Sequence, residues 1–240
     1  MPVFRAPVRD HQFVINELIK FDQYKDALGY EDADADTIAA VFEEAGRLAD
    51  EVFFPINQSG DEEGCKLDNH VVTVPKGFDE AYKTYCEGGW SGLTADPEYG
   101  GQGMPQVLGI MVEEMFTAAN HSLFLYMHLT HSAAHCLHGY ASQELKDQYL
   151  AKMISGEWTG TMNLTEPHAG TDLGMIRTKA EPNGDGSYAI EGTKIFITAG
   201  EHEMSSNIIH LVLAKLPDAP AGTKGISLFA VPKYLLDENG

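Results

Sequence analysis

The chain has 240 residues, with 36 acidic against 16 basic side chains, a formal charge of −20 and three cysteines. That length suffices for one or two domains with a substantial core, and the negative field argues against partners such as nucleic acid or an anionic membrane surface. Cys65, Cys86 and Cys136 are odd in number and never spaced C-x-x-C, which excludes a disulfide framework or a zinc ribbon and points to a reducing, cytoplasmic setting.

The N-terminal stretch carries Arg5, Arg9 and Asp10 where a secretory signal needs an apolar run, and nowhere do ~18 apolar residues follow one another. Helices are predicted over the first two thirds. Asp36 is the expected cap of a segment in which Ile38, Val41, Phe42, Ala45, Ala49 and Val52 recur at helical spacing, ended by Pro55. A polar loop from Asn57 to Asn69 and a short Val71 to Val74 segment follow. Pro75 then opens a helix with Phe78, Ala81, Tyr82 and Tyr85 on one side, stopped by Gly88 and Gly89. The run from Gly100 to Gly103 lacks the G-x-G-x-x-G spacing and reads as a flexible loop rather than a nicotinamide-binding turn. Pro105 opens a third helix with Val107, Ile110 and Met111 inward. A fourth runs from about His121 to Tyr140, and a fifth from Ser142 to the Ser155-Gly156 stop.

At Gly156 the periodicity changes from helical to two-residue. Trp158 to Leu164, Ile176 to Glu181, Ser187 to Ile190, Thr193 to Thr198, Ile208 to Ala214 and Ile226 to Val231 are short and rich in β-branched or aromatic residues, with turn chemistry between them. The expected fold class is α+β: a helical domain over residues 1–155 and an antiparallel sheet over 156–240. After the last strand, Lys233 to Gly240 reads as a loop leading onward from an unfinished sheet.

Two segments carry the chemistry. In Leu164-Thr165-Glu166-Pro167-His168-Ala169-Gly170-Thr171-Asp172, two threonines flank a turn whose Gly170 is expected at positive φ, so that backbone N–H groups converge on an anion. The alternative is a plain polar connection. In Lys194 to Gly200, a strand would put Phe196 and Thr198 on one face, an aromatic plane beside a hydroxyl that suits a flat heterocycle; the alternative, favoured without the first motif, is an ordinary half-buried strand.

Together these segments resemble the acyl-CoA dehydrogenase family, whose flavin motifs T-E-P-x-A-G-[ST]-D and K-x-x-I-T-x-G match Thr165 to Asp172 and Lys194 to Gly200 in order and spacing. Gly92 to Gly103 is similar to the family's loop in its helical domain. Gly156 to Met162 and Gly225 to Lys233 look closest to the branch that contains 3-methylmercaptopropionyl-CoA dehydrogenase. The resemblance implies an N-terminal all-α helical bundle, a β-barrel-like central domain, and a C-terminal helical domain that is absent from this chain. It implies FAD as cofactor, an acyl-CoA substrate, an electron-transfer flavoprotein as electron acceptor, and a homo-oligomer at full length. Carried over by position, the cofactor residues are Met162, Leu164, Thr165, Gly170, Thr171, Phe196, Ile197 and Thr198, with Thr171 also at the thioester substrate. Thr198 is expected near flavin N5, Phe196 replaces the family's usual tryptophan, and Ala199 replaces a common asparagine. No acidic residue matches the catalytic glutamate, which the family carries in its C-terminal helices, so the base is expected beyond Gly240 and the chain is expected to be inactive alone.

Rival readings are a non-catalytic scaffold built on the same fold and a DNA-associated flavoprotein of the superfamily, the latter opposed by the charge. His128, His131, His135 and His138 share one helix face without a carboxylate in the same stripe, so no metal site is expected there.

Overall fold

The computed structural model describes residues 3–237; of the expected exit loop, residues 238–240 lie outside the described residues. The chain opens with α1 (Val8–Phe13), prolonged by a wider turn over Val14–Ile19, and reaches α2 (Ala35–Leu48). Asp34, not Asp36, caps α2: its Oδ1 accepts the Thr37 N–H at 2.8 Å, while Asp36 lies inside the first turn. Ile38, Phe42, Ala45 and Ala49 are buried, with Val41 and Val52 half-buried beside them.

Pro55 does not end this stretch. Helical turns over Ala49–Phe53 and Phe54–Ile56 lead into α3 (Asn57–Glu63), and Pro55 sits at the start of a new turn, where no N–H is needed. The expected polar loop is thus half helix. The hairpin β1 (Lys66–Asp68) and β2 (Val71–Thr73) also interrupts what was expected to be an all-α region. Helix α4 (Phe78–Glu87) starts after Gly77, three residues past Pro75, and buries the predicted Phe78, Ala81, Tyr82 and Tyr85.

Helix α5 (Gln106–Tyr140) has one non-helical residue, Asn120, at φ −157° and ψ 87°. Along a straight helix Glu113 and His131 would be about 27 Å apart; their side chains meet at 2.9 Å. The two arms therefore fold back on each other, as expected from separate third and fourth helices. Asn120 makes the break: its Oδ1 accepts from Leu123 N and Ser122 Oγ, and its Nδ2 donates to Phe53 O. The first arm buries Leu108, Met111, Val112, Met115, Phe116 and Ala119, a helical stripe that leaves Ile110 on the opposite side and 65% exposed, contrary to expectation. Phe116 is the centre of the core between the arms, with ring centroids 5.1 Å from Phe53, 5.8 Å from Tyr85 and 5.7 Å from Phe124.

Helix α6 (Gln143–Ile154), begun by Ser142, ends at Gly156 with φ 80°. The larger sheet comprises β3 (Trp158–Asn163), β4 (Lys179–Pro182), β5 (Tyr188–Glu191), β6 (Asn207–Lys215) and β7 (Ile226–Pro232), in order β3-β6-β4-β5 with β7 also on β6. The expected antiparallel arrangement holds for β4 with β5 and β6 with β7. It fails for β4 with β6, parallel at Lys179↔Lys215, and for β3 with β6, which run parallel from Trp158↔Asn207 to Asn163↔Val212 because the long connection over 164–206 returns the chain to the same end. Among the described residues the sheet does not close on itself, so the β-barrel-like expectation is met only as an open sheet.

Gly160 lets this sheet touch the helices. A Cβ there would lie 2.6 Å from Ala133 Cβ and 2.7 Å from Met153 Cε, and the Gly160 N–H donates to Thr130 Oγ1 at 3.1 Å.

Candidate functional site

Strand β3 delivers its end, Met162 and Asn163, to the start of the threonine-flanked turn. That turn is closed by two backbone bonds, Glu166 N–H to Ala169 O at 2.8 Å and Ala169 N–H to Glu166 O at 3.1 Å. Its Gly170 does not adopt positive φ. The expected left-handed cradle for an anion is therefore absent, and the turn tightens through the Glu166–Ala169 pair instead. Asp172 caps the next short turn, accepting from Gly174 N–H at 3.1 Å, and His168 Nε2 donates to Met175 O at 3.1 Å.

The second segment is not a strand. Residues 192–197 have no regular structure, because Phe196 at φ 57° and Ala199 at φ 55° take left-handed backbone that breaks extended geometry. For a bulky residue such as Phe196 this costs on the order of 1–3 kcal/mol. It turns the ring outward, where it is 89% exposed. Thr198 is exposed on the same irregular segment.

The fold brings the two segments together. Ile195 N–H donates to Thr165 O at 2.9 Å, and Lys194 Nζ donates to Leu164 O at 3.2 Å. Thr165 is half-buried, Met162, Gly170 and Thr171 are exposed, and Leu164 and Ile197 are half-buried. Among the described residues no hydrogen bond engages the hydroxyls of Thr165, Thr171 or Thr198. The surface thus offers a projecting aromatic ring and free hydroxyls, a donor set that fits a flat heterocycle with polar edges. Behind the segment, Lys194, Ile197, Ala199, Gly200 and Glu201 line a cavity of about 570 Å³, bounded on the helical side by Tyr126.

The most connected side chain here was read from sequence only as part of a turn. Glu166 has a side chain 3% exposed; its Oε1 accepts from Thr178 Oγ1 at 2.6 Å, Lys194 Nζ at 2.9 Å and Thr178 N at 3.0 Å, and its Oε2 from Arg177 N at 2.7 Å. Burial pushes this carboxyl up, but the donors from Thr178, Arg177 and Lys194 outweigh it and hold it at about 2.

A second polar group, also missed, anchors the far end of the segment. Met204 N–H donates to Nδ1 of the buried His202 at 3.2 Å, so its Nε2–H donates to Thr159 Oγ1 at 3.0 Å; Thr159 passes the chain to Ser205 and Ser205 to Asn207 O. Burial keeps His202 neutral, at about 4. His210, lowered by burial as well, donates through Nδ1 to Thr161, whose hydroxyl goes to Asn163. Neither imidazole had a periodic signal to mark it.

The histidine row has carboxylates after all, supplied by tertiary structure. Glu113 reaches His131 at 2.9 Å and His128 at 3.5 Å, and Asp96 reaches His138 at 3.0 Å. His131 Nε2 also meets the buried Tyr85 hydroxyl at 2.9 Å. Each carboxylate serves separate partners, and among the described residues no three His, Cys, Asp or Glu side chains gather as a metal site would require. The Gly100–Gly103 loop, expected to be flexible, is pinned by Gly101 N–H to Asp96 O, Gln102 N–H to Gly92 O and Gly103 N–H to Ala95 O. No helix among the described residues is long and apolar enough to cross a membrane.

Comparison with known proteins places these features in a family. The acyl-CoA dehydrogenase N-terminal domain profile matches residues 35–157, and the acyl-CoA dehydrogenase middle domain profile matches residues 161–240. The chain is 46% identical over 237 residues to 3-methylmercaptopropionyl-CoA dehydrogenase of Ruegeria pomeroyi, covering 99% of this chain and 40% of that protein. It is 41% identical over 243 residues to a butyryl-CoA dehydrogenase of Syntrophomonas wolfei, covering 97% and 39%. Among solved structures, glutaryl-CoA dehydrogenase from Mycobacterium smegmatis superposes with a TM-score of 0.66 at 25% identity, over 87% of this chain and 48% of that one. The chain thus spans about 40% of the length of these sequence relatives.

Proposed function

The chain belongs to the acyl-CoA dehydrogenase family, and from that premise we propose that it supplies the helical region and the β-domain wall of a site for FAD-dependent α,β-dehydrogenation of an acyl-CoA thioester. One observation carries this reading: the Ile195 N–H bond to Thr165 O, which sets the exposed Phe196 ring and the free hydroxyls of Thr165 and Thr198 on adjoining segments. In this reading residues 1–155 form the helical unit and 156–240 the β unit.

When bound, FAD supplies the hydride acceptor for the substrate's β hydrogen. The chain's own residues hold and orient. Phe196 would offer its ring as a stacking surface; Thr165 and Thr198 would hydrogen-bond the polar edge; Met162, Leu164 and Ile197 would shield the apolar part; and Gly170 and Thr171 would meet the pyrophosphate without a left-handed cradle, with Thr171 also at the thioester ligand. The left-handed backbone at Phe196 stores strain that aims the ring before any ligand arrives. The α proton requires a carboxylate base. Glu166, closed in by four donors, is held ionised for a structural purpose and is not that base, and no other residue of the chain matches the family's glutamate. Electrons would pass to an electron-transfer flavoprotein.

The test is a titration of the purified chain with FAD, followed by flavin fluorescence and visible absorbance, alongside acyl-CoA-dependent reduction of a dye. Saturable flavin binding without turnover is expected. Failure to bind flavin, or turnover at ordinary enzyme rates by these 240 residues, would overturn the assignment.

A further inference from the structure

We infer that Glu166 and Lys194 act as one clamp, a pair of positioning residues that sets the two cofactor-facing segments against each other; the cofactor half of this inference rests on the function proposed above. The carboxylate gathers three stretches of chain distant in sequence. Its own stretch is the turn closed by Glu166 and Ala169; the second enters through the N–H groups of Arg177 and Thr178 and the Thr178 hydroxyl; the third enters through Lys194. The side chains of Glu166 and Lys194 are 3% and 8% exposed. A buried ion pair of this kind is costly to break from one side, because the remaining charge has no water to turn to.

Lys194 closes the arrangement in a second way. Its Nζ also donates to Leu164 O at 3.2 Å, and the next residue donates its N–H to Thr165 O at 2.9 Å. The ammonium and the adjoining amide thus grip Leu164 and Thr165 in succession. Phe196 follows immediately, in left-handed backbone that needs its neighbours fixed to persist. Gly192 permits the close approach, since a Cβ there would lie 2.2 Å from Thr178 Oγ1. The clamp therefore fixes the distance between the Thr165 edge contact and the Phe196 ring without touching the cofactor.

The experiment is amide hydrogen exchange on the 240-residue chain as wild type, Glu166→Gln, Lys194→Met and Lys194→Arg, each checked by circular dichroism. Lys194→Met is expected to speed exchange at Ile195 and also at Arg177 and Thr178, which Lys194 does not touch, by about tenfold or more. Glu166→Gln should do the same at Ile195. Lys194→Arg should restore protection at all three sites. Unchanged exchange at Arg177 and Thr178 in Lys194→Met, or Lys194→Arg behaving like Lys194→Met, would overturn the clamp. In parallel, FAD affinity should fall about tenfold in Lys194→Met and recover within about threefold in Lys194→Arg. Equal affinities would overturn the cofactor half, whereas a wild-type chain that binds no FAD would overturn the cofactor reading and leave the exchange result to decide the clamp.

Discussion

Thr130 and Gly160 join the helical region to the sheet through one hydrogen bond, Gly160 N–H to Thr130 Oγ1 at 3.1 Å, made where β3 has no side chain. The threonine hydroxyl in turn donates to Tyr126 O at 2.8 Å. Both groups are buried, so neither has water as an alternative partner.

Gly160→Ala tests this contact. The added methyl would meet Ala133 and Met153 at 2.6–2.7 Å, and forced overpacking is expected to cost about 1–3 kcal/mol. Urea unfolding would show the midpoint falling; a midpoint equal to wild type would mean the two layers can part without cost.

The fold-back at Asn120 should be sensitive to its side chain. Asn120→Ala removes the acceptor for Leu123 N–H and the donor to Phe53 O, both buried. A loss of about 2 kcal/mol is expected from a missing cap and an orphaned carbonyl. Thermal and urea melts of the variant would measure it, and a change below about 0.5 kcal/mol would show that the break is set by packing alone.

Acid sensitivity should fall into two windows. His202 has an ordinary value of 6.5 and a folded value of about 4, so the unfolded chain binds the extra proton first. Its stability is fully present above pH 6.5 and is lost as pH falls towards 4, by on the order of 3 kcal/mol. His210 acts in the same sense. Glu166, lowered from 4.5 to about 2, contributes fully above pH 4.5 and loses its part only below it. Urea melts of wild type and His202→Gln at pH 7.5, 6, 5 and 4 should give a flatter slope in the variant; parallel slopes would contradict the neutral buried imidazole.

Phe196 separates stability from binding. The ring is 89% exposed, so Phe196→Ala should leave the melting curve nearly unchanged while weakening FAD binding about tenfold through lost stacking. Phe196→Gly, which relieves the positive φ, should raise stability by about 1 kcal/mol. If Phe196→Gly instead destabilised the chain, the strained backbone would have to be ascribed to something other than ligand presentation.

Much of the architecture was legible because it is written in local signals. The helical spacing of Ile38, Phe42, Ala45 and Ala49, the stop at Gly88-Gly89, and the change of period at Gly156 all act over a few residues. So did the break before His121. Elements that failed are those decided across the chain. Thr193 to Thr198 is β-branched and aromatic and reads as a strand, yet it becomes an irregular arch because Lys194 is drawn to Glu166 from 28 residues away and Ile195 to Thr165 across a similar span. Ile110 fits a helical stripe by spacing but faces away, since its neighbours Leu108, Met111 and Val112 define the buried side.

By itself the sequence determined the family, the helical stretch before Gly156 and most of the strands after it, because motif chemistry and periodicity are carried by residues close together in the chain. Tertiary structure alone decided that β3 and β6 run parallel, that Gly170 is not left-handed while Phe196 is, and that Glu113 and Asp96 complete the histidine row. It also decided that Glu166, within its turn, is a buried hub. Each of these depends on where distant segments meet, and the energy of a buried charge or a close backbone approach exists only once they do.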